Sequence, residues 1–164
     1  MSLTFFCRNQ QKRYQGMKTL KGIKRIVAVA AFIAAGMAQA GPSVTVVFKN
    51  SGSSPAVYSP VGSNEAMTRS FAETAPNASV SVGGTDTYVV KGRLSPDASH
   101  AFVRYRAGIK ECKFKSTYIM AHTRGVRAPK WIKEAVATGG ARCDARIVSV
   151  NSSTHEWTVE FVMR

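Results

Sequence analysis

The sequence predicts an all-β protein, a single antiparallel β-sandwich of about seven or eight strands with one short helix, preceded by an N-terminal signal helix. Three observations lead to this prediction. After residue 40, apolar and polar residues mostly alternate with a period of two, as in strands that bury one face. Glycine, proline, asparagine and serine recur often between these stretches as turn residues. Two cysteines in the same region fit a small domain held by one disulfide.

The N-terminal part of the chain has the composition of a targeting segment. A cationic stretch that begins at Met17 precedes an apolar run from Ile26 to Met37, which ends in Ala38-Gln39-Ala40. This order is typical of a secretory signal peptide, and the run is shorter than the roughly 20 residues that span a bilayer. We therefore expect a signal peptide at residues 17–40, cleavage after Ala40, and export to the periplasm or the medium.

Residues 1–16 contain three basic residues and no acidic residue. Signal peptides normally begin at the initiator, so Met17 is a candidate start, and residues 1–16 are either a gene-start artefact or a long cationic extension. Residues 41–164 are then expected to form a single β-sandwich domain, because this length suits one hydrophobic core.

Four short strands are predicted in the first half of this domain, at residues 44–49, 56–58, 79–82 and 87–90. The stretch from Pro60 to Asn77 is polar, contains two prolines and has little periodicity, so we expect it to be irregular. Gly83-Gly84 predicts a hairpin turn between the third and fourth strands. A further turn is expected between Gly92 and Ser99.

Gly108-Ile109 predicts a two-residue type II′ turn, because glycine occupies its first central position. The pairing that follows places apolar residues together on one side, as Tyr105–Cys112 and Val103–Phe114. The other side carries charged residues and one phenylalanine, paired as Arg106–Glu111, Arg104–Lys113 and Phe102–Lys115. A slip by one residue would mix the two sets, so the sequence specifies this register strongly.

A second hairpin is predicted at the C-terminus, between Arg142–Val150 and His155–Met163. An odd-length loop would set Ile147 opposite Trp157 and Cys143 opposite Phe161. Cys143 then faces inward like Cys112, so we expect a buried Cys112–Cys143 disulfide, with a pair of reactive thiols as the alternative.

The one predicted helix lies between the two hairpins, at Pro129–Val136. Proline suits the first position of a helix, and Gly139-Gly140 follows its end. Four apolar residues would share one face of this helix: Trp131, Ile132, Ala135 and Val136. A β-strand is the alternative interpretation of the same residues.

Motifs for catalysis, metal binding and cofactor binding are missing from the sequence. The three histidines lack metal-ligand spacing, and no G-x-S-x-G motif is present. The C-terminal hairpin brings Asp144 and Glu160 together near Arg146, and a solvated ion-pair cluster is the favoured interpretation over an acid–base pair. We expect no enzymatic activity, no metal and no cofactor, with a hydrolase triad assembled only by the fold as the remaining alternative.

Positive charge after residue 40 is concentrated in one segment. Residues 41–164 contain sixteen basic and nine acidic residues, and nine of the basic residues but only one acidic residue lie between residues 104 and 133. We predict an anion-binding face that draws on nine residues: Phe102, Arg104, Arg106, Lys113, Lys115, Arg124, Arg127, Lys130 and Lys133. The alternative is a passive cationic surface that resists aggregation.

Together these features predict an exported, non-catalytic binding protein. Its expected partner is an anionic component of the cell envelope, such as a polymer or lipid headgroup, or an acidic protein, and peripheral contact with a membrane is compatible with the basic face. The sequence offers no recognition helix or aromatic-studded sheet, which argues against nucleic acid. Two alternatives remain: a protein-directed inhibitor, immunity or secretion-accessory module, and a membrane-active secreted effector.

Overall fold

Two β-sheets face each other across an apolar core in the computed structural model, which describes residues 40–164. The predicted extension and nearly all of the predicted signal peptide lie outside the described residues. The elements follow in chain order as β1 (Gly41–Asn50), β2 (Ala56–Tyr58), α1 (Ser63–Phe71), β3 (Ser79–Val80), β4 (Thr85–Gly92), β5 (Ala98–Ala107), β6 (Lys110–Thr123), β7 (Val126–Thr138), β8 (Cys143–Val150) and β9 (Trp157–Met163). The predicted all-β sandwich with one short helix is confirmed, with nine strands among the described residues.

The strand order is β4-β1-β9-β8 in the first sheet and β3-β2-β5-β6-β7 in the second sheet. The first and last strands lie side by side in the first sheet, where β1 pairs with β9 in parallel from Val44 opposite Trp157 to Asn50 opposite Met163. The other strand pairs are antiparallel, as the sequence predicted.

The core consists of inward-facing residues from both sheets, which are the apolar residues at alternate positions along the strands. Burial of these apolar side chains is the main favourable contribution to folding. Phe48 of the first sheet stacks on Tyr105 of the second, with ring centroids 3.5 Å apart. Phe114 likewise stacks on Phe161 at 4.7 Å. These cross-sheet pairs fix how the two sheets pack together.

The hairpin around Gly108 has the predicted register, with Tyr105 opposite Cys112 and Arg104 opposite Lys113. Gly108 has a φ of 63°, the left-handed value that a type II′ turn requires at this position. The sequence therefore determines both the turn and the sorting of side chains between the two faces.

The C-terminal hairpin forms with a different register from the predicted one. From Cys143 opposite Met163 to Ile147 opposite Val159 the shift is two residues and leaves the inward faces unchanged. A further irregularity between Ile147 and Ser149 then sets Val150 opposite Trp157. The connection is longer than expected because Asn151 organises it: the Asn151 side-chain oxygen accepts hydrogen bonds from the backbone N–H groups of Ser153 and Thr154. Side-chain caps of this kind set loop length independently of the strand pattern.

The prediction of a helix at Pro129–Val136 is wrong. The alternative interpretation, a strand, is correct, because these residues belong to β7. β7 pairs with β6 along its whole length, and that distant partner outweighs the helical spacing of the apolar residues. Proline is tolerated because β7 is the last strand of its sheet and its outer side needs no backbone donor there.

Helix α1 lies instead in the stretch that was expected to be irregular. The Glu65 carboxylate accepts hydrogen bonds from the backbone N–H groups of Val61 and Gly62, at 2.6 and 2.9 Å, and so satisfies free donors at the helix start. Thr68, which is fully buried, accepts a hydrogen bond on Oγ1 from the Phe102 backbone N–H at 2.9 Å. The helix thus covers the edge of β5 beyond the end of β2.

The hairpin predicted around Gly83-Gly84 is also wrong. β3 pairs with β2 in the second sheet, whereas β4 pairs with β1 in the first, so the chain crosses between sheets at these glycines. Buried Asn50 anchors the crossing: its side-chain amide N–H donates to the Val80 carbonyl at 2.9 Å, and its backbone carbonyl accepts from the Gly83 N–H at 2.8 Å. A glycine pair signals a turn, but it does not say whether the flanking strands pair with each other.

The predicted disulfide is confirmed. It joins Cys112 of β6 to Cys143 of β8, with the two Cα atoms 5.7 Å apart, and therefore links the two sheets. Within residues 40–164, no helix has the length and apolar character to cross a membrane.

Candidate anion-binding surface

Strands β5, β6 and β7 are adjacent in the second sheet and bring most of the cationic segment together. We call the side of this sheet that points away from the core the outer face. Six of the nine candidate residues lie on it by strand alternation and pairing: Phe102, Arg104, Arg106, Lys113, Lys115 and Lys130. Arg127 and Lys133 lie on the opposite side of β7, and Arg124 lies in the β6–β7 turn.

Glu111 is the centre of the charged cluster on the outer face. Its carboxylate is nearly buried and lies 2.5 Å from Arg106, 3.4 Å from Arg104 and 3.6 Å from Lys113. Burial raises the pKa of Glu111, but the hydrogen bond from Arg106 and the charges of Arg104 and Lys113 outweigh it and hold the pKa below its usual range. One carboxylate therefore relieves the repulsion that the Arg104–Lys113 pair implies.

Arg104 is held between two carboxylates. Only 14% of its side chain is exposed, and its Nε and Nη2 atoms lie 3.0 and 2.9 Å from Glu65 Oε1. Burial raises the pKa of Glu65, but the hydrogen bonds from Val61 and Gly62 and the contact with Arg104 together hold it below the usual value. Arg104 is thus part of the internal structure, and its donors face protein carboxylates.

Lys115 and Phe102 form a second cluster on the outer face. The Lys115 ammonium lies 5.6 Å from the centre of the Phe102 ring and 3.7 Å from Glu134. A cation over an aromatic face gains a modest electrostatic attraction, and the aliphatic part of lysine covers the ring. The aromatic residue predicted to be exposed on this face is therefore half-buried beneath a neighbouring cation.

The two candidates on the other side of β7 have local partners. Arg127 Nη2 lies 2.6 Å from an Asp97 carboxylate oxygen, and Lys133 Nζ donates to the Ala145 carbonyl at 2.8 Å. Arg124 and Lys130 have no carboxylate within 4 Å in the part of the chain that the structure describes. The cationic segment therefore lies mostly on one sheet, but much of its charge is neutralised there.

Two of the acidic residues that neutralise this face, Glu65 and Glu134, could not be placed on it from the sequence. Glu65 lies on α1, far from Arg104 in sequence, and its approach depends on how the helix packs against β5. Glu134 was assigned to a helix, and its position opposite Lys115 follows from the β6–β7 pairing. The only local signal was Glu111, the single acidic residue in the cationic segment.

Two carboxylates of the C-terminal hairpin, Glu160 and Asp144, have separate sets of ion-pair partners. Glu160 contacts Arg146 and Lys49, each at 2.7 Å, whereas Asp144 contacts Arg164. The hydrogen bonds from Arg146 first, and then from Lys49, lower the pKa of Glu160 to about 2. Such a carboxylate is a stable anion and is unsuited to give or take a proton near neutral pH.

A cluster of aromatic residues closes one end of the sandwich and was not foreseen from the sequence. The Tyr118 hydroxyl lies 2.8 Å from His155 Nδ1, and the Trp131 indole N–H donates to the His155 carbonyl at 3.2 Å. The indole N–H of Trp157 donates to Ser116 Oγ at 2.8 Å. The Tyr118 hydroxyl and both indole N–H groups therefore have internal partners, as expected of structural residues in a core.

Two shallow depressions lie away from the candidate face. One, of about 670 Å³, is lined by Ser43, Thr45 and the loop that follows β8; the other, of about 520 Å³, is lined by Gly41, Pro42 and His155. Ser43 Oγ donates to Glu156 Oε1 at 2.7 Å between them. Across residues 40–164, no three histidine, cysteine, aspartate or glutamate side chains are grouped as metal ligands.

Known proteins were compared with this chain in sequence and in structure. No family model matches the chain, and no curated protein matches it in sequence. Among solved structures, the chain resembles the lipid binding protein Nakanori with a TM-score of 0.48 and 11% identity, over 75% of this chain and 71% of that one.

Proposed function

We propose that this chain is an exported, non-catalytic protein that binds an anionic component of the cell envelope through the outer face of β5–β7. One observation carries the proposal: nine of the sixteen basic residues after residue 40 lie between residues 104 and 133, which fold into three adjacent strands. A surface with an excess of positive charge attracts anions over several ångströms and favours their association.

The carboxylate contacts of these cations indicate which of them remain available to bind an anion. Arg104 is enclosed by carboxylates, so it organises the face and does not meet the ligand. The Lys113 and Lys115 side chains are 44% and 39% exposed, and their carboxylate contacts are long. Lys130 is exposed on the same face. These three lysines form the contact surface for an anion in this proposal.

Export rests on the predicted signal peptide and is consistent with the disulfide, because disulfides persist mainly in oxidising compartments. Mass spectrometry of the protein recovered from a bacterial host tests this part. We expect a chain that begins at Gly41; a chain that retains residues 17–40 in the soluble fraction would contradict export with cleavage.

Binding is tested by elution from immobilised heparin with increasing salt, using the chain from Gly41 to Arg164. Replacing Lys113, Lys115 and Lys130 with glutamine is expected to lower the eluting salt concentration, because each lost contact removes counterion release. The matched control replaces Lys91, Arg93 and Arg142, which lie outside the second sheet and change the net charge equally. Equal shifts in both variants, or no retention of the wild type at low salt, would overturn the proposal.

The free edge of β7 favours a second candidate, a protein-directed inhibitor, immunity or secretion-accessory module. Within the described residues β7 pairs only with β6, so thirteen residues present one unpaired row of backbone groups. Partner proteins often add a strand at such an edge. Pro129 and the flanking lysines are residues that discourage such pairing, which places this candidate second. This second candidate would be favoured by a protein partner that protects β7 amides from hydrogen exchange and whose affinity does not change when the outer-face lysines are replaced.

A further inference from the structure

The β6–β7 hairpin extends beyond the rest of the second sheet. The pairing of β5 with β6 reaches only to Ala98 opposite Ile119, whereas β6 continues to Thr123 and β7 begins at Val126. We call residues 120–129 the ribbon tip. Its two strands pair with each other and have no third strand beside them among the described residues, and four residues of strand reach about 13 Å.

The turn at the end of this ribbon contains an unusual residue. Arg124 and Gly125 have φ values of 51° and 81°, so both central residues are left-handed, as in a type I′ turn. Such turns strongly prefer asparagine or glycine at the first position, because a longer side chain is strained there. Arg124 is exposed and has no carboxylate within 4 Å in the described part of the chain. Its strain is therefore not offset by an internal ion pair.

The side chains around this turn combine positive charge with exposed apolar surface. Val126 is 64% exposed and follows the turn directly, and Pro129 is also exposed. Arg127 contributes a second cation, although Asp97 at the base of the ribbon pairs with it. The tip is convex, so it cannot enclose a small ligand.

We propose that the ribbon tip docks on an anionic lipid surface, with Arg124 at the phosphate groups and Val126 in the apolar layer below them. This inference rests on the proposed function: it names lipid as the anionic ligand and adds the ribbon tip to the outer-face lysines as a second point of contact. A convex tip can contact the flat surface of a membrane without needing a pocket. A soluble polyanion would interact favourably only with the cations of the tip. A membrane interface would also bury the exposed valine, which adds to the binding energy. The valine is therefore the feature that selects lipid over polymer.

Two single substitutions test the tip without endangering the fold. Arg124→Asn removes the charge and places a preferred residue in the turn, so thermal stability should hold or rise. Val126→Thr keeps a β-branched residue and removes an apolar methyl group. Binding of residues 41–164 to phosphatidylcholine–phosphatidylglycerol vesicles is expected to weaken about fivefold with Arg124→Asn and about threefold with Val126→Thr. The controls, Arg142→Asn and Val82→Thr, alter exposed residues elsewhere and should leave vesicle affinity unchanged.

Heparin retention measured on the same proteins separates the two proposals. Retention on heparin without binding to phosphatidylglycerol vesicles would overturn the lipid inference and leave the proposed function standing. Vesicle binding that is indifferent to both tip substitutions, or equal on phosphatidylcholine alone, would overturn the role of the tip. Binding to neither probe would overturn both proposals. Loss of vesicle affinity in the two tip variants with unchanged controls is the supporting result.

Discussion

Arg104 and Arg106 contact the same carboxylate, Glu111, from very different surroundings. The Arg104 side chain is 14% exposed and also contacts Glu65, whereas the Arg106 side chain is 51% exposed. An exposed ion pair contributes little to stability because water and salt screen it, but a carboxylate left unpaired in a nearly buried site is costly. The two arginines therefore offer a matched pair of substitutions.

We expect Arg104→Gln to lower the free energy of unfolding by about 2 kcal/mol, because it weakens the compensation of two nearly buried carboxylates. Arg106→Gln should cost less than about 1 kcal/mol. Urea denaturation near neutral pH measures both values. Equal losses in the two variants would contradict the structural role assigned to Arg104.

Glu160 gives the protein a predictable response to acid. Its pKa is about 2 in the folded state, below the ordinary glutamate value of 4.5, so its contacts stabilise the fold above about pH 4.5. That contribution is lost as the pH falls towards 2. Glu65 and Glu111, whose pKa values are also lowered, act in the same direction.

Glu160→Gln should therefore reduce stability by about 1 kcal/mol at pH 7, a modest value because Arg146 and Lys49 are exposed to screening. The difference from the wild type should shrink below pH 4.5 and vanish near pH 2. Denaturation curves across this range measure it, and Arg146→Gln should reproduce part of the effect. A difference that persists at pH 2 would show that the glutamine acts by another route.

Helix α1 is the element whose position matters most for the candidate surface. It covers the edge of β5 through the hydrogen bond from the Phe102 N–H to Thr68 Oγ1, and it carries Glu65 to Arg104. Thr68→Val removes the acceptor and should lower stability by about 1–2 kcal/mol. Hydrogen exchange at the Phe102 amide should accelerate selectively. Thr68→Ser keeps the hydroxyl, so exchange at Phe102 that is equally fast in both variants would contradict this explanation.

Elements set by local residues were predictable from the sequence, and those set by distant partners were not. The hairpin around Gly108 was predictable because two local signals specify the same register. These signals are the glycine in the turn and the separation of apolar from charged residues on the two faces. Pro129–Val136 has helical spacing, but its strand form depends on β6. α1 has no apolar stripe, and the buried residues it contributes are the polar pair Glu65 and Thr68, whose partners lie on or next to β5. The cationic segment is visible in the sequence, but Glu65 and Glu134, which neutralise part of it, reach it only through the fold.

The disulfide acts on the molecule as a whole, because Cys112 and Cys143 belong to different sheets. The cysteines are 31 positions apart, so closing this loop should stabilise the domain by about 3–4 kcal/mol. Reduction, or joint replacement of both cysteines by serine, should lower the unfolding midpoint in one cooperative step. Added reductant should have no effect on the double variant. An unchanged midpoint on reduction of the wild type would contradict this prediction.

The parallel pairing of β1 with β9 also determines when folding can finish. More than a hundred positions separate the paired residues, and contacts between such distant segments form slowly. β1 leaves the ribosome early and lacks this neighbour until the final residues are synthesised. Folding of the first sheet is therefore expected to finish only after β9 has been made, which is compatible with the export proposed above. For the same reason, a premature stop codon that removes β9 would leave β8 without its neighbour and reduce the first sheet to the β4–β1 pair.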